Sequence, residues 1–206
     1  MIDLYYWSTP NGHKISIALE EMGLEYQIIP INILENDQFQ SDFLAISPNN
    51  KIPAIVDQDG PHGRAISIFE SGAILQYLGR KTGLFYPTDE VKRIQVEQWL
   101  TWQMGGLGPM LGQNHHFSRF APERIAYATE RYVNESKRLY GVLNKQLVGQ
   151  EYVAGEYSIA DMAIFPWLLR HDWQQITLED YPEVSKYIDR LNARPAVQKA
   201  LAIQVS

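Results

Sequence analysis

Two short polar segments contain the side chains best suited to bind a charged ligand. Thr9 and Asn11 separate a β-rich run from a helical pattern, and Glu70 and Ser71 open a later helical pattern. A helix N-terminus binds a carboxylate through its free amides, and there Ser71 adds a hydroxyl while Glu70 is able to receive an ammonium group. Glu70 and Ser71 therefore suit the two charges of an α-amino acid head group, although the same residue types also serve as ordinary helix caps.

Thr9 and Asn11 have the same two interpretations. Either residue type before a helix is an ordinary cap. However, ligands gather where the strands of an α/β sheet lead into helix N-termini, and this position places both side chains where a ligand bound over the sheet would lie.

The dipeptide Ile52-Pro53 lies between turn residues and a short apolar run that begins at Ala54. Only about 5–6% of X-Pro bonds in folded proteins are cis, and a proline here has the alternative role of limiting a strand. A cis bond is nevertheless predicted, because the proline follows a turn and begins a strand in a β-α-β-α-β-β-α order. The main chain of Ile52 would then face outward, able to pair with an extended peptide ligand.

Cysteine is absent from the chain, which excludes a disulfide framework, Cys-ligated zinc and exchange between two protein thiols. Any sulfur chemistry must therefore come from a bound small molecule. The adjacent His115 and His116 do not predict a metal site, because neighbouring histidines on one helix face different directions and no third ligand is evident. We expect no metal and no permanently bound cofactor.

Composition and charge exclude several classes of protein. The 206 residues are 45% hydrophobic and 20% charged, which suits one or two domains with real cores. A formal net charge of -6 without a Lys/Arg cluster argues against nucleic acid as a partner. The apolar runs fall short of the roughly 20 residues of a membrane span, and the N-terminus lacks the basic region of a signal peptide. We expect a cytoplasmic protein without a membrane partner.

Hydrophobic periodicity predicts an α/β region followed by a helical one. Strands are predicted over Ile2 to Trp7, Tyr26 to Ile33, Ala54 to Asp57 and Ala65 to Ile68, and helices after Asn11, over Phe39 to Ile46 and over Glu70 to Gly79. In the second half of the chain the predicted helices are Glu90 to about Gly112, Pro122 to Leu147, Ile159 to about Arg170, Pro182 to Ala193 and Ala196 to Leu201. No strand is predicted after Glu90.

Four segments together resemble one family. They are Thr9 to Ile15, Ser47 to Asp57, Phe69 to Ile74 and Gly105 to Phe117. On these the chain resembles the glutathione transferase superfamily, and most closely its bacterial nu class, whose members reduce disulfides. The resemblance implies a thioredoxin-like N-terminal domain with a mixed four-stranded sheet over residues 1–80, a linker over 81–89 and an all-helical C-terminal domain over 90–206. It also implies a homodimer.

The same resemblance implies a glutathione site and the part of glutathione that each residue binds. The residues are Asn11 and Thr9 at the sulfur, Gln38 and Lys51 at the glycyl end, Ile52 beside Pro53 at the cysteinyl backbone, Glu70 and Ser71 at the γ-glutamyl head, and Arg131 from the second domain. Several classes of the superfamily instead stabilise the thiolate with a tyrosine at the end of the first strand. Tyr6 is close to that place and is the alternative.

The expected reaction is reduction of a disulfide by bound glutathione, with transfer to electrophiles or reduction of hydroperoxides as side activities. A glutathione-binding regulatory protein on the same fold is the alternative. Ser158 and Asp161 also match the superfamily, but a hydroxyl followed three residues later by an acid is a capping box. Asp161 is therefore predicted to be a buried folding determinant and not a catalytic residue.

Overall fold

The computed structural model describes residues 1–205, which form two compact units. The first contains residues 1–86 together with the segment from Arg194 onward, and the second contains residues 87–193. The strands are β1 (Ile2–Tyr6), β2 (Tyr26–Pro30), β3 (Ala54–Asp57) and β4 (Ile66–Phe69). The helices are α1 (Pro10–Glu21), α2 (Ser41–Leu44), α3 (Ser71–Thr82), α4 (Glu90–Trp102), α5 (Gly108–His115), α6 (Ala126–Gln146), α7 (Ile159–Leu168), α8 (Pro182–Asn192) and α9 (Pro195–Leu201).

The first unit is built on a four-stranded sheet in the order β2-β1-β3-β4. Strand β1 runs parallel to β2 and antiparallel to β3, which pairs antiparallel with β4, so the sheet is mixed. Leu4 is opposite Ile28 on one side and Ile55 on the other. Leu4 and Ile55 are fully buried, as are Ile15 and Ile74 from α1 and α3. Alternating apolar residues of the strands thus meet the apolar faces of two helices.

Helices α1 and α3 begin at the two polar segments of the sequence. Thr9 has an extended backbone and caps α1, and Pro10 takes the first helical position, where a missing amide costs nothing. Helix α3 ends at Gly83, whose φ of 70° lies in the left-handed region that favours glycine. Helix α1 contacts α3 and also α9, to which Glu21 is joined by an ion pair with Arg194 at 2.6 Å.

The second unit consists of helices α4 to α8 with connecting turns. Asp161, in the first turn of α7, is fully buried, and its Oδ2 accepts a hydrogen bond from Ser158 N at 2.8 Å. Its Oδ1 accepts from Val153 N at 2.9 Å and from Tyr187 Oη at 2.8 Å. The predicted capping box is therefore confirmed, and Asp161 joins the loop before α7 to α8.

The predicted fold class is confirmed, with a thioredoxin-like first unit and, within residues 1–205, helices without strands in the second. The helix predicted from Glu90 to Gly112 is instead α4 and α5 joined by the π-helical segment Gln103–Leu107. Pro109 has no amide to donate to the carbonyl of Gly105, and its ring would crowd that carbonyl, which disfavours a regular α-helix at this point.

The predicted domain limits of 1–80, 81–89 and 90–206 stay a prediction. The compact units differ from these limits at the end of the chain. The segment from Arg194 onward belongs to the first unit, because α9 packs on α1. No helix within the described residues combines the length and the apolar character that a membrane crossing needs.

Candidate functional site

The N-terminus of α1 presents Thr9 and Asn11, both partly exposed. Thr9 Oγ1 accepts a hydrogen bond from Gly12 N at 3.1 Å. Because a hydroxyl has one donor and two acceptor lone pairs, this cap leaves the O–H of Thr9 able to donate to a ligand. Asn11 is the second residue of α1, so its side chain lies at the positive N-terminal end of the helix dipole. The arrangement can stabilise an anion.

Gly12 allows α1 to start directly against the end of β1. A Cβ at this position would overlap the carbonyl oxygen of Trp7 and lie 2.9 Å from Tyr6 Cε2. Sequence reasoning gave this glycine no role. The absence of a side chain is what lets the first turn of α1, with Thr9 and Asn11, sit close to the sheet.

Tyr6 is fully buried, and its hydroxyl lies 3.0 Å from His13 Nδ1. The two rings also meet edge to face, with centroids 5.9 Å apart. Burial raises the pKa of the Tyr6 hydroxyl, which disfavours its ionised form. A ligand cannot reach a side chain enclosed in this way, so the geometry favours Thr9 and Asn11 over Tyr6 as the residues that face a thiol.

The Ile52-Pro53 peptide bond is cis, as predicted. Within residues 1–205, neither the amide nor the carbonyl of Ile52 makes a hydrogen bond. The preceding turn is fixed from inside, because the buried Ser47 Oγ donates to the carbonyl of Lys51 at 2.9 Å. The Lys51 side chain is exposed. The Ile52 peptide is thus held in place with both of its polar groups available for a main-chain ligand.

Gln38 lies in a short turn after β2, where its Nε2 donates to the carbonyl of Ile33 at 3.4 Å. Its Oε1 is buried and has no hydrogen-bond partner in the part of the chain that the structure describes. Ile33 and Ile52 pack against the same apolar cluster, which is formed by Ile31, Phe43 and Ala54. The cluster therefore brings the Gln38 turn and the Ile52 turn to one side of the sheet.

Glu70 and Ser71 form the start of α3. Glu70 is exposed, has a φ of 70° and makes no hydrogen bond that caps the helix. A positive φ is unfavourable for a non-glycine residue, and such strained positions cluster at ligand sites. Ser71 is 5% exposed. Glu70 is the N-cap residue of α3 by position, but its side chain does not cap the helix, so its carboxylate is available to an ammonium group.

Lys14 is a buried lysine beside Ser71 to which the sequence analysis assigned no role. It is 1% exposed, and its Nζ lies 3.5 Å from Ser71 Oγ. Burial lowers the pKa of Lys14 to about 7, while the nearby Glu70 carboxylate acts in the opposite direction. Lys14 lies in the segment Thr9 to Ile15, which resembles the glutathione transferase superfamily. The helical pattern of this segment does not reveal that the ammonium group will be buried.

Arg131 lies in the second compact unit, exposed on α6. It lines a surface cavity of about 600 Å³ together with Met110, Tyr127 and Arg138. The first unit contains eight of the nine residues expected at the ligand, and the second contains Arg131. The described residues contain no cluster of three or more acidic or histidine side chains that could hold a metal ion.

His115 is a buried histidine that packs inside the second unit. It is 8% exposed, its Nε2 lies 3.1 Å from Gln174 Nε2, and its ring stacks on Trp167. Burial together with the positive charges of Arg170 and Arg119 lowers the pKa of His115 to about 4, so the ring is neutral near pH 7.

Comparisons with known proteins point to one family along the length of the chain. The models of the glutathione S-transferase N-terminal and C-terminal domains match residues 2–80 and 109–195. The chain is 54% identical over 205 residues to the disulfide-bond oxidoreductase YfcG of Escherichia coli K12, a match that covers 98% of this chain and 94% of YfcG.

Two solved structures are similar to the whole fold. One is a glutathione transferase from Pseudomonas putida with one glutathione disulfide bound per subunit; it is 45% identical, has a TM-score of 0.95 and covers 99% of this chain and 92% of that one. The other is a glutathione transferase family member from Pseudomonas fluorescens Pf-5 with two glutathione bound; it is 45% identical, has a TM-score of 0.94 and covers 98% and 93%.

Proposed function

This chain belongs to the glutathione S-transferase family, and from that premise we propose that it is a glutathione-dependent disulfide-bond reductase of the nu class. The observation that carries the proposal is the pair of donors Thr9 and Asn11 at the positive end of α1, in a chain without cysteine. The nucleophile is therefore the thiolate of bound glutathione. The relative YfcG, which carries the name of disulfide-bond oxidoreductase, supports this choice.

The donors have to lower the pKa of the glutathione thiol. A free thiol has a pKa of about 8.5 and is only a few per cent ionised at pH 7. A shift of about two units needs about 2.7 kcal/mol of preferential stabilisation of the thiolate. A helix N-terminus contributes about 0.3–1 kcal/mol, and a hydrogen bond to a charged group about 1.5–3 kcal/mol. The Asn11 amide and the Thr9 hydroxyl therefore supply most of the shift.

The remaining site residues hold glutathione in an extended form. Ile52, before Pro53, pairs through its free amide and carbonyl with the cysteinyl backbone. Glu70 receives the ammonium group of the γ-glutamyl head, and Ser71 with the α3 amides receives its carboxylate. Other contacts come from Gln38 and Lys51 at the glycyl end and from Arg131.

The reaction is a pair of thiol-disulfide exchanges. The bound thiolate attacks one sulfur of the substrate disulfide, forms a mixed disulfide and releases the other sulfur as a thiolate, which takes a proton from water. A second glutathione thiolate then attacks the glutathione sulfur of the mixed disulfide, releasing oxidised glutathione and the second substrate thiol. The relatives with two glutathione or one glutathione disulfide bound support a site with room for both molecules. Transfer to electrophiles and reduction of hydroperoxides need the same thiolate and are side activities.

Turnover of a small model disulfide with glutathione, measured beside a standard electrophile, tests this proposal. Asn11→Ala is expected to lower disulfide turnover about tenfold to a hundredfold, because one charge-assisted hydrogen bond to the thiolate is lost. The control is Thr82→Ala, which removes a hydroxyl at the far end of α3 that donates to Leu78 O. Unchanged turnover and unchanged thiol affinity in Asn11→Ala would contradict the mechanism.

Calorimetry with reduced and oxidised glutathione, together with the turnover assay, separates the enzyme from its alternative. A regulatory protein would bind glutathione without turning over any disulfide, whereas binding of neither form would contradict both.

We also propose that the protein is a cytoplasmic homodimer and that each chain has one domain over residues 1–80 and another over residues 90–206. A single-chain mass in sedimentation at micromolar concentration would contradict the dimer.

A further inference from the structure

The dipeptide Asn11-Gly12 at the start of α1 is chemically labile. Asparagine is among the thermally labile residues, and it loses its amide most readily before glycine, because no side chain shields the main-chain nitrogen that attacks it. Asn11-Gly12 is the only Asn-Gly pair in the 206 residues of the chain. The residue that the proposed site uses as a donor therefore belongs to a dipeptide that is easily modified.

Neither residue of this pair can be exchanged without loss. A Cβ on Gly12 would overlap the carbonyl oxygen of Trp7 and lie 2.9 Å from Tyr6 Cε2, so a larger residue would push α1 away from the end of β1. Asn11 supplies an uncharged amide donor to the thiolate in the proposed function. Packing and chemistry together thus place the labile pair at this point of the chain.

Deamidation of Asn11 is an exchange of ammonia for water. The amide nitrogen of Gly12 loses its proton to a base and attacks Cγ of Asn11, so that a C–N bond forms and the side-chain nitrogen leaves as ammonia. Water then opens the resulting succinimide ring to aspartate or isoaspartate. Ring closure requires Asn11 to leave the helical backbone conformation and the nitrogen of Gly12 to leave its hydrogen bond.

The first turn of α1 opposes this reaction. Gly12 N donates to Thr9 Oγ1 at 3.1 Å, and His13 N donates to the carbonyl of Thr9 at 3.0 Å. Asn11 lies within the turn that these two bonds close, as the second residue of the helix. Asn11 is partly exposed and Gly12 is buried, so water has access to Asn11 while the attacking nitrogen is enclosed.

We propose that Asn11-Gly12 is a site of spontaneous deamidation whose rate is controlled by the Thr9 cap, because the reaction proceeds when the first turn of α1 opens. Deamidation replaces the amide donor by a carboxylate, which cannot donate and which opposes a thiolate. The product is therefore an enzyme with low turnover. This last consequence rests on the proposed function, whereas the modification itself does not.

Peptide mass spectrometry measures the deamidated fraction of Asn11 in folded protein that is kept at pH 8. Thr9→Ala is expected to deamidate about fivefold faster than the parent, since loss of a helix cap raises the population of the open turn by about that factor. Thr9→Ser keeps the cap and is expected to match the parent. Equal rates in Thr9→Ala and in the parent would overturn the proposal.

The matched control is Asp89→Ala, which removes the cap of another helix. Asp89 is exposed at the start of α4, where its Oδ1 accepts a hydrogen bond from Lys92 N at 3.0 Å. Its loss is expected to leave the rate at Asn11 unchanged, because the opening is local to α1. If Asp89→Ala accelerates deamidation as much as Thr9→Ala does, the rate follows general stability and the proposed control by Thr9 is wrong.

Hydrogen exchange of Gly12 N–H in the parent decides the question if Thr9→Ala does not fold. At low urea concentrations, below the unfolding transition, the rate of deamidation is expected to rise in proportion to the opening that this exchange measures. A deamidation rate that does not depend on the opening of Gly12 N–H would overturn the proposal without any substitution.

Disulfide turnover after incubation tests the consequence for activity. The turnover of the parent is expected to fall in step with the deamidated fraction of Asn11. Asn11→Gln keeps an amide whose longer side chain closes a ring far more slowly, so its own initial turnover is expected to persist. If Asn11→Gln loses turnover as fast as the parent, deamidation is not the cause of the loss. If the deamidated parent keeps full turnover while Thr9 controls the rate, the modification stands and the proposed role of Asn11 at the thiolate is wrong.

Discussion

Helices α3 and α7 begin with the same types of residue, an acid and a hydroxyl, and use them differently. At α7, Asp161 accepts hydrogen bonds from Ser158 N, Val153 N and Tyr187 Oη, at 2.8 to 2.9 Å. At α3, the Glu70 side chain makes no capping hydrogen bond. A helix start whose polar groups bond within the chain stabilises the fold, and one that leaves its acid exposed is able to serve a ligand.

Burial follows the same division. Asp161 is fully buried and Glu70 is exposed. Burial raises the pKa of Asp161 to about 6, while its hydrogen bonds act in the opposite direction. At α3 the buried titratable group is instead Lys14, whose Nζ lies 3.5 Å from Ser71 Oγ. The acid of α7 is thus enclosed with its donors, whereas α3 has opposite charges on two sides of one serine.

The largest effect is expected from Asp161→Ala, and it is an effect on stability. The substitution leaves the buried amide of Val153 and the hydroxyl of Tyr187 without their acceptor, so the free energy of unfolding should fall by about 3–5 kcal/mol. Glu70→Ala, at the equivalent helix start, should change it by about 0.5 kcal/mol or less. Urea unfolding measures both. Equal losses in the two variants would remove the distinction between a structural and a ligand-binding helix start.

In contrast to Asp161→Ala, Glu70→Gln should weaken ligand binding and leave stability unchanged, and its effect should be smaller. Loss of the carboxylate removes the partner of the ligand ammonium, so glutathione affinity should fall about tenfold while stability stays unchanged. Glu35→Gln, at another exposed acid of the same unit, is the control for the change in net charge. Calorimetry measures the affinities. If Glu35→Gln weakens binding as much as Glu70→Gln, the effect is one of general charge.

Features set by short stretches of sequence could be predicted. The capping box of Ser158 and Asp161 follows from neighbouring residue types, and the cis bond at Ile52-Pro53 was predicted from its place between a turn and a strand in the order of elements. Both are confirmed. The sheet followed from the alternation of strand and helix patterns, which is also local. The resemblance to a family supplied the roles of the site residues, and these stay predictions.

Features that depend on how elements pack could not be predicted. Lys14 is one residue of a helical pattern, and its burial at 1% exposure results from the tertiary packing around α1. The positive φ of Glu70 occurs at the junction between β4 and α3. The buried, unpaired Oε1 of Gln38, within residues 1–205, is likewise a result of packing. Each is a tertiary outcome that propensity and periodicity do not encode.

Thr9 is intermediate between the two kinds of helix start, because one hydroxyl has both roles. Its Oγ1 caps α1 by accepting from Gly12 N at 3.1 Å, and its O–H is the proposed donor to the thiolate. Thr9→Ala should therefore lower the free energy of unfolding by about 1 kcal/mol and also lower disulfide turnover by about threefold to tenfold. Thr9→Ser keeps both functions and should change neither quantity.

Thr9→Asp separates the two roles, since aspartate is a strong cap that has no proton to donate at neutral pH. Its stability should match the parent, while its turnover falls at least as far as in Thr9→Ala, because a carboxylate beside the sulfur also opposes the thiolate. Urea unfolding and the disulfide assay on the same preparations give the two numbers. If Thr9→Asp retains full turnover, the hydroxyl of Thr9 serves the helix alone, and α1 then begins in the same way as α7, with Asn11 as the remaining side-chain donor to the thiolate.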